Sequence, residues 1–165
     1  MSPLTHSKNS IILPLLIALA FSAMTASASE NLPFQLGDEG TITFTTPSTA
    51  TTAGTGNATH LGNITSDGSL TIVGEASCID NEVGFAAEMQ DTFTAANGDI
   101  VTTAITMQLC PIAPGIYHGI GTYIVTGGTG RFANATGSGV FDGTGNFNTG
   151  TIICALTGTI SINHH

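Results

Sequence analysis

Segment 127–137, Gly-Gly-Thr-Gly-Arg-Phe-Ala-Asn-Ala-Thr-Gly, constrains this chain more than any other, because its glycines come directly after the apolar run Tyr123-Ile124-Val125-Thr126. Glycine at 127, 128 and 130 lets the backbone leave a strand through positive φ. Phe132 and Ala135, three residues apart, share one face of a short helical turn. The segment therefore reads as a strand, a glycine corner and an apolar plug. A strand entering a glycine loop also opens a dinucleotide-binding unit, but that unit requires a long helix next and then further βαβ repeats. Beyond Gly137 the chain reads Ser-Gly-Val-Phe-Asp-Gly-Thr-Gly and then a β-rich run to the C-terminus, which leaves no room for such a fold.

The rest of the chain after its first thirty residues is also written in strands. Residues 41–46 alternate Ile42 and Phe44 with threonines, the period-two pattern of a half-buried strand. Residues 46–56, rich in Thr, Ala, Ser, Pro and Gly, read as a flexible loop. Further strands are expected at 57–65, 69–77, 83–94, 99–109, 115–126, 138–142 and 149–162, with Asp67-Gly68 and Asn97-Gly98 as tight turns. Eight antiparallel strands joined in succession leave two edges, and a closed up-and-down β-barrel removes both. Lysines that would guard an open edge are absent from the strands. The competing all-β arrangement is a two-layer sandwich.

Residues 1–28 have a different grammar. Lys8, the apolar stretch 11–21 and the small-residue site Ala26-Ser27-Ala28 spell a cleaved secretory signal peptide, which leaves 29–165 as one exported domain. Cleavage makes Arg131 the sole Lys or Arg facing eleven carboxylates. Such a chain has nothing to neutralise phosphates, which excludes nucleic acid, and no basic patch for an anionic membrane surface. Three cysteines in an oxidising compartment permit one internal bridge. Cys78 and Cys110 end strands that run the same way, so they are the expected pair, and Cys154 is an inert thiol.

The corner resembles a stretch of the allene oxide cyclase and dirigent-protein barrel family, Gly-Gly-x-Gly-x-Phe-x-x-Ala-x-Gly, matched here by Gly127, Gly128, Gly130, Phe132, Ala135 and Gly137. The resemblance implies an eight-stranded barrel assembled as a homotrimer. It also implies an interior that either shapes the ring closure of an apolar epoxide or steers the coupling of phenolic radicals. The dirigent arginine that comes after the motif's alanine is replaced by Thr136, so that role does not transfer. Arg131 stands at a variable motif position and is expected to pair with a carboxylate and pin the corner.

Candidate pocket residues come from chemistry alone. His118 shares a face with Ile116 and Ile120, so if that face points inward it places an imidazole in an apolar cavity. His60 has a similar setting, and Tyr117 and Tyr123 on the opposite face of the same strand would offer hydroxyls. Glu75, Glu88 and Asp91 are expected at the surface, with Glu88 and Asp91 on opposite faces. No Ser-His-Asp order and no metal-ligand spacing is present, so neither metal nor cofactor is expected. Small residues at Ala87, Gly119 and Gly121 leave room in the wall. The sequence thus points to an exported barrel that binds a small, largely apolar molecule, with isomerase-like or dirigent-like steering of its reaction. The other class it permits is a non-catalytic structural or envelope-associated barrel.

Overall fold

The computed structural model describes residues 30–79 and 82–162; the signal-peptide reading of 1–28 and the terminal His164-His165 lie outside them. Eight strands succeed one another: β1 (Glu30–Phe44), β2 (Thr49–Ala58), β3 (Gly62–Ser77), β4 (Val83–Ala95), β5 (Ile100–Ala113), β6 (Ile116–Gly128), β7 (Thr136–Asn146) and β8 (Thr151–Ile162). A single 3-10 turn, Gly130–Phe132, lies between β6 and β7. Each strand pairs antiparallel with the next, and β1 pairs with β8 from Glu30↔Ile162 to Thr41↔Thr151. One sheet therefore closes into a hydrogen-bonded ring, and every strand has a partner on both sides.

Alternation along each strand sends one set of side chains inward. The inner set includes Phe34 and Leu36 from β1, Ile64 and Leu70 from β3, Met89 and Phe93 from β4, and Ile105 and Met107 from β5, all buried. Because neighbours are antiparallel, the β2–β3, β4–β5 and β6–β7 connections gather at one end with both strand termini. The remaining four connections form the other end. Phe132 and Ala135 are buried at the first end, where the glycine corner folds inward as a plug. The far mouth carries an aromatic group: Phe147 meets Phe44 edge-on and stacks on Tyr117, with centroids 4.9 Å apart in both pairs, and Tyr117 also contacts Phe85.

Three sequence expectations are corrected. The stretch 46–56 is not a loop but supplies most of β2, and the first strand begins at Glu30, well before residue 41. The expected strands 57–65 and 69–77 are not separate either. Residues from 62 onward run unbroken through Asp67-Gly68 as β3, and the real turn lies at 59–61, where His60 has φ 67°. Asn97-Gly98 does turn the chain, with Gly98 at φ 86°. The bridge joins Cys78 to Cys110 with Cα atoms 5.7 Å apart, between the ends of β3 and β5 as expected. No helix among the described residues is long and apolar enough to cross a membrane.

Candidate functional site

The ring interior holds a polar layer that the sequence does not announce. Asp38 of β1 and Asp91 of β4 both point inward, and Asp91 is only 8% exposed. Glycines make this placement feasible. A side chain at Gly54 would crowd Ser66 Oγ and Asp38 Oδ2, and one at Gly68 would collide with Asp91 Oδ1 and Thr52 Oγ1. The β2 and β3 backbones thus leave hollows that the two carboxyl groups fill. Ser66 Oγ donates to Asp38 Oδ2 at 2.7 Å, and Thr52 Oγ1 lies 3.5 Å from Asp91 Oδ1. Thr103, 2% exposed and opposite Asp91 across the β4–β5 ladder, has a hydroxyl with no partner.

Burial dominates the electrostatics here. Loss of water raises Asp91 to about 7, with the Asp38 charge adding to the shift and the Thr52 hydrogen bond opposing it. Asp38 is raised by burial and lowered in part by Ser66. The free thiol of Cys154 on β8 is pushed up, first by burial and then by the charges of Asp38 and Asp91. A reactive thiolate is thereby disfavoured.

Between this layer and the aromatic mouth lies a cavity of about 30 Å³. Thr52 and Cys154 form part of its lining, and Ile42, Leu70, Met89 and Met107 supply apolar wall. Gly119 and Gly143 contribute no side chain to that wall, and a Cβ at Gly119 would already touch Phe141 and Leu109. The cavity is large enough for water and far smaller than a drug-sized ligand pocket.

The candidate residues fall in several places. His118 belongs to the outer face, since Ile120 and Ile124 beside it are 52% and 56% exposed, and its Nε2 lies 3.2 Å from Asp142 Oδ2. His60 is exposed in the β2–β3 turn, with Nε2 3.0 Å from the Pro33 carbonyl. Tyr117 does line the interior, as part of the mouth. Tyr123 is buried near the plug with its hydroxyl unpartnered, its ring fitting over the bare Gly139 and Gly158 backbone. Glu75 and Glu88 are exposed, whereas the surface expectation for Asp91 is overturned.

The corner motif is structural in every visible contact. Gly127 and Gly130 take φ 142° and 56°. Side chains at Gly128 and Gly137 would strike the Ile100 and Thr159 carbonyls. Arg131 Nε donates to Asp99 Oδ2 and Nη2 to the His60 carbonyl, both at 3.0 Å, so one side chain ties three connections at the plugged end. Its guanidinium also lies 5.4 Å from the Phe132 ring centroid. No group of three or more His, Cys, Asp or Glu gathers as a metal set among the described residues.

No protein-family model matches the chain, and no curated protein or solved structure matches it. The class of molecule rests on its own architecture: an all-β ring of eight antiparallel strands, plugged at one end, with an acidic layer beneath an apolar cavity.

Proposed function

We propose that this is an exported up-and-down β-barrel of the allene oxide cyclase and dirigent type whose interior binds a small, largely apolar molecule. The observation that carries this reading is the Asp38 and Asp91 pair beneath the cavity. Burying a carboxyl without strong partners is costly, and a barrel serving only as a scaffold would lose nothing by replacing Asp91 with an apolar residue. Met89 and Met107 in the wall are unbranched and flexible, so the cavity can widen as they change rotamer. Selection of a ligand conformer by cavity shape is the chemistry this interior suits, since no nucleophile and base are paired in it.

A structural or envelope-associated role is the second reading. It is favoured by the small size of the cavity and by the aromatic side chains, Phe34, Phe93 and Phe132, that fill the plugged end. Exposed Ile120, Ile124, Val140 and Ile153 on the outer faces of β6, β7 and β8 support the homotrimer that the resemblance implies. Native mass spectrometry of the mature protein from its own producer tests all of this together. It reads removal of residues 1–28, subunit number and any retained small molecule. A monomer with nothing bound, and no uptake of apolar probes, favours the structural role.

A further inference from the structure

We propose that the ligand of this interior is a small aliphatic amine, its ammonium group held by Asp38, Asp91 and the Thr103 hydroxyl and its chain lying in the cavity toward the aromatic mouth. This rests on reading the interior as a binding site, and it names the ligand's chemistry.

The acidic layer lacks a cationic partner. Two carboxyl groups face the interior with hydroxyl donors only, Ser66 on Asp38 and Thr52 at long range on Asp91. Arg131 is the sole Lys or Arg among the described residues, and it is engaged at the plugged end with Asp99 and the His60 carbonyl. The described residues therefore supply no cation to this layer. Thr103 adds an unpartnered hydroxyl that is 2% exposed and registered against Asp91. A primary ammonium carries three N–H donors and no acceptor, which complements two carboxylates and a hydroxyl oxygen. A ligand alcohol or carbonyl would leave the negative charge unbalanced, and a carboxylate would add to it.

The apolar part of the ligand is set by what adjoins the acids. Thr52 lines the cavity and also contacts Asp91, so the acidic layer and the cavity share a wall residue. Ile42, Leu70, Met89 and Met107 offer hydrocarbon only. Other titratable groups on the inner side are Cys154 of β8, Tyr117 and Tyr123 of β6, and Glu75 of β3, which pairs with Phe85 at the mouth and is exposed there; the described residues of β2, β5 and β7 present none inward. Amine uptake should strengthen as pH rises through the range in which the acid pair loses its proton, because the amine itself stays charged until about pH 10.

The test compares hexylamine, hexanol and hexanoate on the full mature protein by calorimetry and ligand-observed NMR, at about pH 6 and pH 8. The expected result is binding of hexylamine at least about tenfold tighter than either isostere at the higher pH, with the preference lost in Asp91→Asn. Thr103→Val, which keeps both carboxyls, should weaken the amine alone and so guards against misfolding of the first variant. Equal binding of all three probes, or a preference that survives Asp91→Asn, overturns the amine assignment and leaves the binding reading intact. Ammonium binding as tightly as hexylamine also overturns it, since the layer would then be a simple cation site. Failure of every probe to bind overturns both readings.

Discussion

Gly68 stands opposite Asp91 in the β3–β4 ladder, and the Asp91 carboxyl occupies the space where a side chain at Gly68 would project. Gly68→Ala forces that buried carboxyl and the Thr52 hydroxyl to move, with the Gln90 carbonyl limiting relief. The expected cost is about 1–3 kcal/mol, as for other overpacked interiors. In an Asp91→Ala background the cost should shrink, because the main obstacle is gone. A double-mutant cycle by urea unfolding reads the coupling. Additive costs would show that the carboxyl does not occupy this hollow.

The same burial dictates a pH dependence. Asp91 is raised from 3.8 to about 7, so between those values the folded state holds a proton that the unfolded state has released. Stability is then fully present at acid pH and declines by up to about 1.4 kcal/mol per pH unit as pH climbs through this window. Asp38, also raised, slopes the same way. Melting temperature measured across this range should fall with pH in the native sequence and flatten in Asp91→Asn. A stability that rises with pH between 3.8 and about 7 would contradict the burial of this group.

This acidic layer also marks where a sequence stops being legible. The glycine corner, the alternating strands and the cysteine pair are readable because each depends on local chemistry: positive φ, period two, and strand ends of like direction. The 46–56 stretch reads as a loop because its inward residues, Ala50, Thr52, Gly54 and Gly56, are small rather than greasy. They must be small, since Asp38 and Ser66 fill the volume above Gly54. Asp67-Gly68 resembles a turn for a related reason. Its glycine serves close approach by Asp91, a contact from another strand, and adopts no positive φ. His118 is ambiguous because both faces of β6 are apolar, so parity alone does not say which one looks inward.

Cys78–Cys110 fastens the ends of β3 and β5 at the mouth and spans a sequence separation of 32. Loop-closure entropy for a span of that length gives about 3–4 kcal/mol of stabilisation. Replacing both cysteines with serine should lower the unfolding free energy by that order while leaving the β-sheet circular dichroism of the fold intact. The paired thiols should also be absent from a labelling assay of the unfolded, unreduced chain, where Cys154 alone reacts. Labelling of two or more thiols would contradict this pairing.

At the plugged end, burial and charge make separable contributions. Phe132 is 0% exposed, so Phe132→Ala should cost about 3–5 kcal/mol through lost burial and the cavity left behind. Arg131, with a side chain 60% exposed, makes its bonds to Asp99 and the His60 carbonyl largely in water. Arg131→Ala should therefore cost about 1 kcal/mol or less. The two differ in pH behaviour as well. Hydrogen bonds from Arg131 and then Asn97 hold Asp99 below its ordinary range, so this contribution is present above the usual carboxylate pKa and is lost as pH falls through the lowered one. Arg131→Ala should remove that acid-side loss, whereas Phe132→Ala should leave it in place. If Arg131→Ala proved the more damaging substitution, the corner would be held by its charge pair, and the plug would be a consequence of it.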